Sequence, residues 1–360
     1  MQRTGIANLP LHPGRAPPWL FGRMVKLAKE ITEVIIYEYS KDELLRRLSD
    51  PFWFQSFSCV LGYDWHSSGT TTVTCGALKE AIKPELGIAV CGGKGKTSRK
   101  TPGEIEKFAE AFSLSTKKAE ELVYSSKMSA KVDNTAIQDG YNLYHHCFIF
   151  TENGNWAVIQ QGMNTINRYA RRYHWLSGFN SFVEEPHSAI CCDKQEKEAL
   201  NMVAKESKEA RSASVDLVKD NIGKRLSRQN TLRDFSVKVE KLDLPKCHEI
   251  RNLSKQTVTA LQNAYEIQPD KYEELLAIRG IGPKAVRALA LLSEIIYGSE
   301  LSWKDPAKFS FAHGGKDGIP YPVDRKNMDL SIDMLRNAIT QAKIGEQDKL
   351  HAIRRLNEFL

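Results

Sequence analysis

Long apolar runs are missing from this chain. No stretch of its 360 residues approaches the roughly 20 consecutive apolar residues that a helix needs to cross a bilayer. The N-terminus, Met1 to Gly5, continues into a proline-rich loop and lacks the apolar core of a signal peptide. We therefore expect a cytoplasmic protein that does not act at a membrane.

Paired cysteines are missing as well. The seven cysteines lie at positions 59, 75, 91, 147, 191, 192 and 247, and no two of them form a C-x-x-C pair. An odd, unpatterned set in a chain of this length is typical of reduced, mostly buried thiols. We therefore expect no zinc site built from cysteine.

The excess of positive over negative charge is small. The 51 Lys and Arg outnumber the 44 Asp and Glu, which gives a formal net charge of +7. This excess favours a nucleic-acid partner only weakly, because many soluble proteins reach it. The apolar share of 41% and the charged share of 26% are ordinary for globular proteins.

The composition along the chain predicts an α+β protein with two domains, which 360 residues are enough to form. Residues 1–193 mix strand and helix signals and predict a catalytic domain. Residues 194–238 are highly charged and poor in aromatics, and they predict an exposed helical connector. Residues 239–360 predict an all-α domain.

Local signals in the first domain predict several elements. Residues 31–39 form a β-prone run, and residues 86–91 read as a short buried strand. Two capping boxes, which begin at Ser40 and Thr101, predict helix starts. The Asn-Gly pair at 153–154 predicts a β-hairpin.

Leu275 to Leu289 predict a helix, a tight Gly-x-Gly turn and a second helix. Gly280 and Gly282 can adopt positive φ, and Pro283 suits the first helical position because that N–H has no intrahelical partner. The free N–H groups and Lys284 would then face an anion. The segment resembles the helix-hairpin-helix of DNA-binding proteins, which holds the DNA backbone without reading bases. The alternative is a turn that only packs.

A basic loop occupies residues 92–100, GGKGKTSRK. Its end resembles a P-loop, but Val90 stands where that motif needs glycine, so we do not expect ATP binding. A polyanion backbone suits its cations better. The predicted DNA contacts are Lys94, Lys96, Arg99 and Lys100. A solvated basic loop is the alternative.

Residues 62–72 place an acid, an imidazole and five hydroxyls around a tryptophan. Asp64 and His66 would ligand a metal or share a proton. Many polar groups between aromatics need partners, which favours a functional site. Alternatively, the hydroxyls cap the helix that follows.

Residues 133–146 predict a polar helix. In such a helix Asp139 and His146 share one face. A carboxylate and an imidazole there would hold a divalent metal, Mg or Mn, which activates water and neutralises charge on a phosphodiester. The alternative is a buried hydrogen-bond network with no ligand.

Residues 167–175 interleave arginines with aromatic rings. Arginine pairs with phosphate and aromatic faces stack unpaired bases, which favours single-stranded or opened DNA. The predicted contacts are Arg168, Arg171, Arg172 and Trp175. The alternative is a core helix laced by cation–π contacts.

Several blocks resemble a prokaryotic, largely archaeal family known as a domain of unknown function that ends in a helix-hairpin-helix. They are GYDWHSSGTTTVTCGALKEA, GGKGKTSRKTP, AKVDNTAIQDGYNLYHH, NWAVIQQGMN, ARRYHWLS and HGGKDGIPYPVDR. The blocks are spread over nearly the whole chain. The resemblance implies a DNA-processing nuclease, without named catalytic roles.

A second resemblance leads to another chemistry. In helix-hairpin-helix glycosylases a lysine after the hairpin acts as nucleophile and a later aspartate assists, and Lys284 and Asp324 are similar to that pair. Two features weaken the match: non-catalytic hairpins often carry this lysine, and residues 312–322 form a Gly-rich insertion before Asp324.

The leading hypothesis is a metal-dependent nuclease that acts on single-stranded or opened DNA in repair. The glycosylase and a non-enzymatic DNA-binding protein are the alternatives. DNA is the expected partner, and a homodimer is compatible with the sequence. The predicted catalytic residues are Asp64, His66, Asp133, Asp139, His145 and His146, with Asp139 and His146 as metal ligands.

Overall fold

A computed structural model describes residues 16–62, 68–192, 195–224, 254–307 and 325–359. Its helices are α1 Pro18–Glu38, α2 Lys41–Ser49, α3 Pro51–Val60, α4 Gly69–Ala81, α5 Thr101–Ala111, α6 Thr116–Lys131, α7 Lys208–Lys219, α8 Lys255–Ile267, α9 Tyr272–Ala277, α10 Pro283–Tyr297, α11 Arg325–Gln341 and α12 Glu346–Phe359. Its strands are β1 Ile88–Lys94, β2 Ile137–Gln138, β3 Asn142–Thr151, β4 Trp156–Asn164, β5 Tyr169–Leu176, β6 Ala189–Cys191 and β7 Leu200–Asn201. This mixture confirms the predicted α+β class.

The central feature is a five-stranded antiparallel sheet in the order β1-β3-β4-β5-β6. Apolar clusters cover both of its faces. Phe148 and Val158 belong to one cluster, and Ile149 and Ile159 belong to the other. Burial on both faces makes these strands nearly continuous apolar runs. The β3–β4 hairpin is confirmed, and the strand predicted at 86–91 occurs as β1, which begins at Ile88 and continues to Lys94.

Helix α1 occupies residues for which the sequence predicted a strand at 31–39, so that prediction is wrong. The buried side chains include Met24, Leu27, Ile31 and Ile35, at helical three- and four-residue spacing. This apolar stripe packs into the core and outweighs the local β-propensity of the run.

The two predicted helix starts differ in detail. The Ser40 hydroxyl accepts a hydrogen bond from the Glu43 N–H, as a capping residue does. Helix α5 begins at Thr101 itself, and the Thr101 hydroxyl donates to the Ser98 carbonyl instead. The first capping prediction is confirmed and the second is wrong by one position.

Helix α7 lies within the segment predicted to be an exposed connector. It buries Ala210, Leu217 and Val218 in the cluster that also holds Leu289 of α10. The expectation of an exposed helix is therefore wrong for the described residues 195–224, while residues 225–238 lie outside the described ranges. The domain boundaries stay predictions.

The C-terminal helices return to the N-terminal helices. Met334 and Leu335 of α11, together with Leu356 of α12, join the cluster that contains α1 and α3. Within the described ranges, none of the helices combines the length and the apolarity needed to span a membrane.

Candidate functional site

Two rows of polar residues cross the sheet side by side on opposite faces. Lys94, His145, Gln161 and Arg172 are direct cross-strand neighbours on β1, β3, β4 and β5, and we name them the first row. The adjacent register forms the second row, which consists of His146, Gln160 and Tyr173. Successive residues of a strand point to opposite faces. Neighbouring residues in the sequence therefore belong to different polar clusters.

The predicted helix over residues 133–146 is wrong. Val132–Ala136 is one π-helical turn, after which the chain forms β2 and then β3. The buried end of β3, CFIFT, pairs with β1 on one side and β4 on the other. Side chains of this segment therefore alternate between the two faces of the sheet with a period of two residues. The shared helix face that would have joined Asp139 to His146 therefore does not exist.

The second row lies in a buried hydrogen-bond chain. The Ser126 Oγ lies 2.8 Å from His146 Nε2, and His146 Nδ1 lies 2.8 Å from Gln160 Oε1. The Gln160 Nε2 donates to Asp133 Oδ2 at 2.5 Å. Because this amide nitrogen faces a carboxylate, its oxygen must accept from His146. The proton then sits on His146 Nδ1, and Nε2 accepts from Ser126.

Asp133 is the buried end of this chain. Its Oδ2 also accepts from Trp175 Nε1 at 3.0 Å, and its Oδ1 lies 2.5 Å from His187 Nε2. Burial raises the pKa of Asp133, against the opposing effects of His187 and Trp175. Burial lowers the pKa of His146 to about 4, so this imidazole is neutral at pH 7.

Asp139 belongs to a separate ionic cluster. Its Oδ2 accepts from Arg171 Nη1 at 2.7 Å and from the Tyr173 hydroxyl at 2.8 Å. Arg171 also binds both oxygens of Asp305, at 2.8 and 2.6 Å, and lies 4.5 Å from the Tyr141 ring centre. Burial raises the pKa of Asp139, while the Arg171 charge opposes this shift.

His145 of the first row is enclosed without hydrogen bonds. Its side chain is buried, and neither ring nitrogen has a hydrogen-bond partner among the described residues. Burial, His146 and Lys94 together lower the pKa of His145 to about 3. The ring is therefore neutral at pH 7.

The other members of the first row are held firmly. Gln161 donates to the Ser68 carbonyl at 2.7 Å and is also bonded to Thr71 and Tyr144. Arg172 donates to Gln55 at 3.0 Å. The row therefore runs from the exposed Lys94 to the fully buried Arg172.

The described residues do not bring the predicted metal ligands together. Asp139 is bonded to Arg171, and His146 to Ser126 and Gln160. No group of three or more His, Cys, Asp or Glu is placed to hold a metal ion in this part of the chain. Asp64 and His66 lie outside the described residues, so the metal stays a prediction.

The predicted DNA contacts divide into two groups. The exposed contacts are Lys94, Lys96, Arg99, Lys100 and Arg168. The buried contacts are Arg171, Arg172 and Trp175, each with 0% exposure. The prediction is wrong for this second group, because strand β5 lies between two apolar clusters and turns these side chains inward. The alternative interpretation is a core helix with cation–π contacts. Cation–π contacts do occur in the core, but the element that carries them is a strand.

Helix α9, a short turn and helix α10 follow one another in the predicted order. Gly280 has φ +94°, and a Cβ there would lie 2.9 Å from the Ala260 Cβ. Gly282 has φ −116°, so the expectation of positive φ is wrong at this position. Within the part of the chain that the structure describes, no side chain caps the N-terminus of α10. Lys284 in its first turn is exposed.

Side chains of α6 and β2 bond to this turn. Lys131 Nζ donates to the Ile278 carbonyl at 3.4 Å, and Gln138 Nε2 donates to the Pro283 carbonyl at 2.8 Å. Arg287 Nε donates to Gln138 Oε1 at 2.7 Å. Asp324, the predicted companion of Lys284, lies outside the described residues, so that pairing stays a prediction.

Residues 5–323 match a family described as "Protein of unknown function (DUF763)". The chain belongs to the DUF763 family. This confirms the predicted membership of a family of unknown function. Searches of the curated proteins and of the solved structures gave no significant match.

The structure of this DUF763 member adds residues that sequence reasoning missed. Ser126, Gln160, His187 and Asp305 complete the buried networks. A signal existed for Gln160, because a glutamine pair ends the otherwise apolar strand WAVIQQG. The other three carry no local signal, since each meets its partner only after the chain has folded.

Proposed function

We propose that this chain is a DNA-processing protein of the cytoplasm that holds DNA through backbone phosphates at the 278–284 turn. The main observation behind this proposal is the N-terminus of α10, which no side chain of the described residues caps. The N–H groups of Lys284 and Ala285 lie in its first turn, where a helix presents unpaired donors and a positive dipole end. In this proposal the segment is a helix-hairpin-helix.

The charges around the turn support a phosphate ligand. Arg279 and Lys284 are exposed on the turn itself, and Lys131 and Arg287 lie beside it. Backbone N–H groups and cations contact phosphate oxygens without distinguishing bases. We therefore expect binding that depends weakly on sequence and strongly on salt.

The proposed chemistry is phosphodiester hydrolysis at the first row. Lys94 supplies positive charge at the exposed end of the row, and its cross-strand neighbour His145 supplies an imidazole whose nitrogens are not bonded within the described residues. Positive charge stabilises a phosphoryl group on which negative charge develops. Dependence on Mg²⁺ or Mn²⁺ is part of the proposal.

The binding part is tested with Arg279→Ala/Lys284→Ala, measured by anisotropy of labelled duplex DNA over a range of salt. We expect weaker binding and a plot of log K against log salt that is shallower by about 2, since two phosphate contacts are lost. The matched control is Lys117→Ala/Lys208→Ala, which removes two exposed lysines elsewhere. An unchanged slope in the turn variant would refute the proposed contact.

The chemical part is tested by incubating intact and base-damaged DNA with Mg²⁺, Mn²⁺ or EDTA. Metal-dependent cutting of undamaged strands, lost in His145→Gln and kept in Lys284→Ala at saturating protein, supports hydrolysis at the first row. EDTA-resistant action on damaged bases only, lost in Lys284→Ala, would replace it with a glycosylase. Binding without any cutting would leave a DNA-binding protein.

A further inference from the structure

A large groove lies among the N-terminal and C-terminal helices, and its lining includes no residue of either polar row. It runs between α1, the end of α3 and the start of α12, with a volume of about 970 Å³. Its lining does not include any residue of the 278–284 turn. The groove is therefore a separate surface.

Positive charge dominates the lining. The permanent cations are Arg23, Lys26, Lys29, Lys343 and Arg355. The two carboxylates are Glu30, which accepts from the Lys343 N–H at 2.8 Å, and Asp348, which lies 4.0 Å from Arg23. Cations placed along a groove rather than at one point suit a polyanion whose charges are spaced along a chain.

An exposed tryptophan stands in the same lining. Trp19 is 64% exposed, and the Arg23 guanidinium lies 5.6 Å from its ring centre. An aromatic face beside a cationic track is the combination on which an unpaired base stacks while its phosphates meet lysines. Paired bases do not offer that face, because they are stacked on each other inside the duplex.

We propose that this groove binds single-stranded DNA, with Trp19 stacking a base and Lys26 and Lys343 contacting phosphates. The inference rests on the proposed function, since it names a second DNA contact of the same protein. Duplex DNA is held at the 278–284 turn, and an opened strand is held in the groove.

The experiment measures anisotropy of a labelled oligothymidine and of a labelled duplex with the full chain. Lys26→Ala/Lys343→Ala should weaken oligothymidine binding and make its salt dependence shallower by about 1.4. Trp19→Ala should weaken it about fivefold or more with little change in salt slope, because stacking carries no charge. Neither change should alter duplex binding.

The matched controls are Lys117→Ala/Lys208→Ala for charge and Tyr37→Ala for an exposed ring on α1 that lies outside the groove. If the groove variants bind oligothymidine like the wild type, the inference is overturned while the proposed function stands. If the wild type binds neither duplex nor oligothymidine, the proposed function and the inference both fail. Equal loss of duplex and oligothymidine binding in the groove variants would also overturn the separation into two sites.

Discussion

Replacing His145 by leucine should make the protein more stable and less sensitive to acid. The side chain is buried, and its ring nitrogens have no hydrogen-bond partner among the described residues. A buried polar group without a partner costs about 1–3 kcal/mol. Leucine has a similar volume and no polar atoms, so the free energy of unfolding at pH 7 should rise by that amount.

The acid effect follows from the pKa of His145, which burial lowers from 6.5 to about 3. Below pH 6.5 the unfolded chain binds a proton that the folded chain does not take up until about pH 3. The proton equilibrium of His145 therefore costs no stability above pH 6.5, and it lowers the free energy of unfolding progressively as the pH falls from 6.5 toward 3. At about 1.36 kcal/mol per pKa unit, His145 alone removes about 2 kcal/mol between pH 7 and pH 5.

Urea unfolding at pH 5 and pH 7 measures both effects, with the midpoint compared at constant m value. The control His351→Gln changes an exposed histidine of α12. Comparison with the wild type cancels the contributions of all other titrating groups. A leucine variant that is less stable at pH 7 would show that a ring nitrogen is bonded, and an unchanged pH dependence would show that His145 titrates normally in the folded protein.

Three further substitutions test the buried networks and the turn. Arg171→Met leaves two buried carboxylates without their cation and should lower the free energy of unfolding by about 3–5 kcal/mol in urea titrations; a loss below 1 kcal/mol would contradict this. Gly280→Ala should cost about 1–3 kcal/mol because of its φ of +94° and the crowded Cβ, whereas Gly103→Ala, with open space around it, should not. Gln160→Leu should lower the free energy of unfolding by about 1–3 kcal/mol and remove the Nδ1–H tautomer of His146 from ¹⁵N NMR spectra. Persistence of that tautomer would refute the assigned direction of the hydrogen bonds from His146 through Gln160 to Asp133.

The elements that the sequence predicted correctly are those with local causes. The β3–β4 hairpin follows from an Asn-Gly pair between two apolar runs, and α10 follows from a proline after a glycine turn. Strand β5 shows where local reasoning ends. Its arginines are typical of a DNA-binding surface, and only their partners place them in the core. Arg171 meets Asp305 across 134 residues of sequence, and no local pattern announces that contact.

The wrong prediction of a shared helix face for Asp139 and His146 has a related cause. A helical period placed Asp139 and His146 on one face, whereas the actual strand period places His145 and His146 on opposite faces. Strand and helix are hard to distinguish where the polar stretch is short and the apolar run follows it. The residue types were nevertheless informative, because each of these side chains is buried in a polar cluster.

The two rows depend on each other through the register of the sheet. A slip of β3 by one residue would put His146 in the place of His145, and a slip of β4 by one residue would put Gln160 in the place of Gln161, since side chains alternate between faces. Ser126 and Gln160 bind the two nitrogens of His146 and so resist this exchange on the second face. The bonds of the second row therefore hold β3 and β4 in the register that puts His145 and Gln161 together on the first face. This assigns the second row a positioning role for the first.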